Sequence, residues 1–310
     1  GKLRQVYNEL IYKLIGFLSI NDRWDEQYRL ILEADRGNLK ATLFCTDPSS
    51  ILNEFLQSAG PTVYFSATLQ PDQYYQYFIG EWKYPFYEIT SSYDSEHVCA
   101  IIYDQISTRY RHRKQNLMHI TKSIEKVINK KSGNYMVFFP SYQFMNQVTD
   151  FLERLNPNYK NLKQKPGMSD AEKLYFLEDF RIKREEHILG SVITGGFFGE
   201  GINLPGDELI GVIIVGIAHP PITIENELIR RYFDDQGENG YAFAYQFPAL
   251  NSILQSAGRL IRTDTDRGVI LFIGDRFAHS EYLEILESFW SIELVSDTQE
   301  LSDRIEMFWE

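Results

Sequence analysis

The sequence predicts an α/β fold, a mainly parallel sheet covered by helices on both faces, and two patterns carry that expectation. Short, almost wholly apolar runs occur at 98–103, 135–139, 188–194, 209–215 and 269–273. A run that is apolar at every position suits a strand buried on both faces, as strands of a parallel sheet are. Between these runs lie amphipathic stretches at 116–130, 142–155, 169–183, 222–234 and 249–262, where apolar residues recur every three or four positions, as on a helix. Strands alternating with helices build parallel sheets, and in such folds ligands meet the carboxyl ends of the strands. A chain of 310 residues with 44% hydrophobic content is long enough for one large or two modest cores.

Taken in order, residues 3–34 carry Leu10, Leu14, Phe17, Leu18, Trp24, Tyr28, Leu30 and Ile31 at mostly helical spacing, which predicts a helical hairpin. Residues 40–45 alternate like a strand. Asp47-Pro48-Ser49-Ser50 is a helix start, with Asp47 or Ser49 as the cap of a helix over 51–58. Gly60-Pro61 then leads into an expected strand at 62–65. From 70 to 95 the sequence is crowded with aromatics, Tyr74, Tyr75, Tyr77, Phe78, Trp82, Tyr84, Phe86, Tyr87 and Tyr93. Such rings either fill a core or stack on bases.

Charge and missing features narrow the function. The net charge of -12 argues against a protein that coats nucleic acid nonspecifically. Yet Arg109, Arg111, Arg113, Lys114, Lys122, Lys126, Lys130 and Lys131 face a single acid, Glu125, between 105 and 131. That row is either a local face for a phosphate backbone or a solvated helix start. Cys45 and Cys99, far apart, offer no metal-ligand spacing and fit a reducing compartment. No apolar run approaches the roughly 18 residues that cross a bilayer, and the first ten residues lack the apolar core of a signal peptide. A soluble cytoplasmic protein with no membrane partner is therefore expected. The sequence contains no G-x-x-x-x-G-K-[ST] loop to cradle nucleotide phosphates and no acidic D-E-x-H or D-E-x-D box to hold magnesium.

One stretch points to anionic ligands, Gln255-Ser256-Ala257-Gly258-Arg259-Leu260-Ile261-Arg262. On the expected 249–262 helix, Arg259 and Arg262 project one turn apart and Gly258 leaves room for a close backbone approach. Two guanidinium groups so held suit a phosphate chain, and surface ion pairs are the alternative.

This Q-x-x-G-R-x-x-R pattern resembles motif VI of superfamily 2 helicases, and the run from Gln255 to Phe277 resembles the DinG and XPD branch. Ser66-Ala67-Thr68-Leu69 is similar to motif III. Val137-Phe138-Phe139-Pro140-Ser141-Tyr142 is similar to motif IV. Gly199-Glu200-Gly201-Ile202-Asn203-Leu204-Pro205-Gly206 is similar to motif V, where relatives more often carry Asp in place of Asn203. The four stand in the family's order, and the likeness covers about 39 to 277.

The resemblance implies RecA-like architecture in three parts: a helical segment over 1–38, the end of an arch-like insertion; the last part of a first RecA-like domain over 39–95; and a second over 96–310. It implies the C-terminal motor portion of an ATP-dependent DNA helicase of replication or repair, moving 5′ to 3′ on single-stranded DNA. ATP and Mg2+ would be bound mainly by an N-terminal half that carries the P-loop and acidic box, so the chain alone is expected to be inactive. Arg262, with Arg259, would act as an arginine finger and Gln255 would sense the terminal phosphate or its attacking water. Gly199, Glu200, Gly201, Asn203 and Gly258 would face the nucleotide. Glu200 is expected to accept hydrogen bonds that order its loop, whereas Asn203 keeps an acceptor but loses the usual charge. Ser66 and Thr68 would link nucleotide and DNA, or simply cap a helix. Ser141 and Tyr142 would hold a DNA phosphate, Ser141 also serving as an N-cap, and Arg109, Arg111, Arg113 and Lys114 would line the DNA track. The iron–sulfur cysteines of many relatives have no counterpart here. A different class of function, a noncatalytic nucleic-acid- or protein-binding module with a degenerate helicase fold, is disfavoured by the intact motif VI.

Overall fold

The computed structural model describes residues 2–22, 24–79, 87, 89, 94–155, 159–182 and 187–310. In chain order, α1 (Lys2–Asn21), β1 (Tyr28–Asp35), β2 (Asn38–Cys45), α2 (Ser49–Ala59) and α3 (Asp72–Ile79) come first. There follow β3 (Val98–Tyr103), α4 (Arg113–Ile128), β4 (Asn134–Phe139), α5 (Tyr142–Arg154), β5 (Tyr159–Lys163), α6 (Asp170–Arg181), β6 (His187–Ile193) and the short α7 (Phe197–Glu200). The chain ends with β7 (Gly211–Val215), α8 (Ile224–Asp235), α9 (Phe247–Ala257), β8 (Gly268–Ile273), α10 (Ser280–Glu287), β9 (Ile292–Val295) and α11 (Thr298–Trp309). It forms two compact units, Gly1–Tyr87 with Pro220–Phe247, and Glu88–His219 with Pro248–Glu310. The stretch 220–247, expected within a domain spanning 96–310, thus groups with the first 87 residues.

The second unit is a seven-stranded sheet in the order β5-β6-β4-β7-β8-β3-β9, with every neighbouring pair parallel. Side chains on successive strand residues point to opposite faces, which sorts the apolar runs into two cores. Ala100, Ile102, Met136 and Phe138 join Phe176 and Phe180 of α6 and Leu250, Ile253, Leu254 and Ala257 of α9. Ile101, Tyr103, Val137 and Phe139 join Ile120 and Ile124 of α4, Val148 and Leu152 of α5, and Leu301 and Ile305 of α11. Helices on both faces are what the apolar runs predict. Strands β5 and β9 escape sequence detection because they are the sheet's edges and have a polar side. In Tyr159-Lys160-Asn161-Leu162-Lys163, Lys160 pairs with Asp179 at 2.9 Å and Lys163 with Glu153 at 2.8 Å. Such charges suit an edge that must not pair further.

The first unit corrects three expectations. Residues 3–34 are not a helical hairpin: α1 is helical, but Tyr28–Asp35 is a strand. It pairs antiparallel with β2 from Tyr28 opposite Cys45 to Asp35 opposite Asn38. Arg36 and Gly37 turn the chain with φ of 46° and 87°. A two-residue turn with both φ positive matches the twist of a hairpin, and this turn outweighs the helical spacing of the leucines. The expected strand at 62–65 does not form. No strand among the described residues pairs with it, and Val63 and Phe65 are 82% and 90% exposed. The helix after Asp47-Pro48 starts at Ser49 and has Pro48 at its N-cap without a side-chain cap; Asp47 Oδ1 instead accepts from the Ser49 N–H at 2.9 Å.

Aromatics hold this unit together. Tyr77 meets Phe243 and Phe233 edge-on at 4.9 and 5.0 Å, and Tyr74 meets Phe247 at 5.5 Å. Tyr74 and Tyr77 therefore pack in a core rather than present open faces to bases. Trp82, Tyr84, Phe86, Tyr93 and the side chain of Phe78 lie outside the described residues. Asp47, nearly buried, accepts from the Tyr232 hydroxyl at 3.0 Å.

Candidate functional site

The site is assembled in the second unit where β6 runs into the glycine-rich segment and α9 runs into the loop before β8. Helix α9 ends at Ala257, so the expected helix to Arg262 is five residues too long. The Gly258 N–H still bonds Leu254 O at 2.8 Å, but Arg259 and Leu260 N–H bond Ser256 and Ala257 O, three residues back. Tightening from four-residue to three-residue bonds is how helices commonly finish. Gln255 thus stands on the last turn of α9 and both arginines just beyond it, in a loop held by tertiary contacts rather than by helical geometry.

Those contacts join motif VI to motif V. Arg259 Nε donates to Gly199 O at 2.7 Å and its Nη1 to Ile202 O at 3.2 Å, while Arg262 Nη2 donates to the same Ile202 O at 3.4 Å. The approach is close because Gly199 has no side chain: a Cβ there would sit 3.2 Å from Ser256 Oγ of α9. Burial, then the neighbouring Arg262 charge, lowers the affinity of Arg259 for its proton, and Glu200 acts in the opposite sense. Arginine stays charged regardless, so the two guanidinium groups are a concentrated cationic feature. Glu200 itself is exposed, as are Gly201 and Asn203. Contrary to expectation, Arg259 and the buried Asp266, rather than Glu200, supply the bonds that order this segment.

Ser141 caps α5, its hydroxyl accepting from the Phe144 N–H at 3.3 Å. The Tyr142 hydroxyl accepts from Gln164 Nε2 at 3.0 Å, and Gln164 Oε1 accepts from the Ile193 N–H at 2.8 Å, tying the ends of three neighbouring strands together. Ser66 accepts from the Thr68 N–H at 3.2 Å in a local turn, not at the start of α3, which begins at Asp72, and both residues belong to the first unit.

The basic row splits into two kinds of residue. Arg111, Lys114, Lys122 and Lys126 are exposed. Arg109 faces Asp275 at 3.5 Å, and Arg113 donates from Nε to Thr108 O at 3.0 Å with its guanidinium 4.5 Å over the Phe144 ring. Lys130 pairs with Glu306 at 2.6 Å and Lys131 lies 4.0 Å over Trp309. Arg276, which sequence reasoning misses, joins the edge of this row. Its charge, after burial, lowers the proton affinity of Arg113, and its Nη1 reaches His219 at 3.2 Å. The signal is present in the D-R-F after β8, a cation at a strand's carboxyl end. Among the described residues no group of three or more His, Cys, Asp or Glu could hold a metal ion, and no helix is long and apolar enough to cross a membrane.

The chain is 23% identical over 317 residues to the ATP-dependent DNA helicase CHL1 of Scheffersomyces stipitis, a match covering 91% of this chain and 37% of that protein. It is 24% identical over 290 residues to the ATP-dependent DNA helicase XPD of Sulfolobus acidocaldarius, covering 89% and 48%. It therefore spans between about a third and a half of the length of these relatives. A solved apo XPD structure superposes with a TM-score of 0.64 at 20% identity, covering 92% of this chain and 57% of that one, a likeness of fold that agrees with the RecA-like sheet. The model of the family described as Helicase C-terminal domain matches residues 124–292, more than half of the chain and the part that carries motifs IV to VI. The chain belongs to the helicase C-terminal domain family.

Proposed function

We propose that this chain is the C-terminal motor portion of an ATP-dependent DNA helicase that couples ATP hydrolysis to 5′-to-3′ movement on single-stranded DNA in replication or repair. The observation that carries the reading is the joining of Arg259 and Arg262 to the Gly199–Ile202 backbone. It places two cations beside a turn whose glycines let a ligand approach. That donor set fits anionic phosphate and not a bare metal ion. The bound ATP and Mg2+ would supply the transferable phosphoryl group and a neutralising charge, held mainly by a P-loop and acidic box in an N-terminal half of the same polypeptide. Phosphoryl transfer needs positioned charge more than covalent help. Arg262 and Arg259 supply that charge, Gln255 senses the terminal phosphate or its attacking water, and Gly258 and the 199–203 segment shape the approach. Ser66, Thr68, Ser141, Tyr142, Arg109, Arg111, Arg113 and Lys114 contact DNA.

The test compares the 310-residue chain with the longer polypeptide that carries it. Turnover stimulated by single-stranded DNA, together with displacement of a strand only from a substrate with a free 5′ tail, is expected of the longer protein. The chain alone is expected to show neither. DNA-stimulated turnover by the chain alone, or a longer protein that never hydrolyses ATP, would overturn the reading.

A further inference from the structure

Asp266 sits in the loop between α9 and β8, and at 2% exposure it is a buried acid that belongs to none of the four motifs. Its Oδ2 accepts from the backbone N–H of Arg262 at 2.6 Å and of Thr263 at 3.0 Å. Its Oδ1 accepts from the N–H of Gly206 at 3.0 Å and from the Thr263 hydroxyl. Burial alone would raise its pKa, but these donors outweigh it and hold the carboxyl below the usual range, so both oxygens are acceptors at neutral pH.

The Thr263 bonds are an ordinary local turn. The Gly206 bond is not, because Gly206 lies 60 residues away at the end of motif V. The motif V segment and the arginine loop are thus joined twice over, at Gly199 and Ile202 by arginine side chains and at Gly206 by Asp266. The two junctions differ in kind. A guanidinium has five N–H donors and can give up a carbonyl for a phosphate oxygen, whereas a carboxylate holding four donors has no reason to let go.

We infer that Asp266 is a positioning residue: it holds the backbone of Arg262 in register with motif V while the arginine side chains exchange their carbonyl partners for phosphate. This rests on the helicase reading given under Proposed function. In Asp266→Asn one oxygen becomes an NH2 facing N–H donors, so one side of the latch opens while the volume is kept.

The experiment uses the longer polypeptide with single-stranded DNA, and measures ATP turnover for Asp266→Asn, Arg262→Ala and the double variant, with thermal melts of each. Thr263→Val, which removes one donor from an exposed residue, serves as a milder version should Asp266→Asn fail to fold. Misplacement of a reacting group by about 1 Å can cost on the order of a hundredfold in rate. For Asp266→Asn the expected loss is therefore about ten- to a hundredfold in kcat, with KM for ATP within about twofold; for Thr263→Val it is a few-fold. Neither should lower turnover further in the Arg262→Ala background, because both act through Arg262. If Arg262→Ala is impaired but the latch variants turn over normally, or their losses multiply with that of Arg262→Ala, Asp266 is no more than a turn cap and the inference fails alone. If Arg262→Ala itself is unimpaired, the assignment of the arginine finger fails and takes the latch with it.

Discussion

Arg276 donates from Nη1 to His219 Nδ1 at 3.2 Å, and because arginine can only donate, the imidazole proton must reside on Nε2, 3.1 Å from the Tyr282 hydroxyl. The surroundings keep the ring neutral: burial, then the Arg276 charge, pushes its pKa down from 6.5 to about 4. As pH falls below about 6.5 the unfolded chain takes up this proton before the folded one does. The stabilisation is complete above that pH and is lost on acidification from 6.5 through 4. His219→Asn, which keeps an acceptor for Arg276 and cannot titrate, should therefore show a flatter decline of Tm between pH 7 and 4.5 than the parent. Parallel Tm curves would show that His219 carries no such linkage.

Arg262→Ala in the longer polypeptide is expected to lower ATP turnover by roughly a thousandfold while leaving ATP binding nearly intact. An arginine finger acts on charge that develops in the transition state. Arg262→Lys should rescue little, since an ammonium cannot make a planar two-point contact. The guanidinium is half-buried, and the melting temperature should change slightly. Normal turnover by a folded Arg262→Ala protein would make motif VI structural here.

The split within the basic row gives a sharper test of DNA binding than the sequence allows. Arg111→Ala with Lys114→Ala removes exposed charge only, and should weaken single-strand binding and flatten its salt dependence by about 0.7 in slope for each phosphate no longer neutralised. Arg113→Ala removes the bond to Thr108 O and the packing on the Phe144 ring, and should cost on the order of 1–2 kcal/mol of stability as well. Salt titrations and denaturant melts separate the two. An unchanged slope in the double variant would assign Arg111 and Lys114 to solvent.

What can be read from the sequence follows from burial. Strands β3, β4, β6, β7 and β8 lie inside the sheet, so nearly every residue is apolar and the run is unmistakable. Strands β5 and β9 lie at the edges, where part of each strand meets water and the pattern dissolves. The first strand of the β1–β2 hairpin reads as helix because Leu30 and Ile31 fit both periods, and the decisive turn is carried by Arg36-Gly37. In the site, what the sequence reveals is the Arg and Gly spacing, and the structure brings Arg259 and Arg262 onto the Gly199–Ile202 backbone. Asp266 is not, since its role depends on Gly206, which no local pattern connects to it. The end of α9 is hidden for a similar reason: Leu260 and Ile261 continue the apolar period, but Arg259 holds the loop by bonds to a distant segment.

The divided composition of the first unit sets an order of events on the ribosome. Residues 1–87 close on Pro220–Phe247 through bonds that span 161 to 185 positions, from Tyr77 to Glu238 and from Tyr232 to Asp47. While residues 88–219 are being synthesised, the early segment has already emerged ahead of its partner, and Tyr74 and Tyr77 wait for the Phe233, Phe243 and Phe247 they pack on. Long-range pairings of this kind form late, and waiting apolar surface is prone to mispair. The unit can therefore close only when the segment through Phe247 has cleared the exit tunnel.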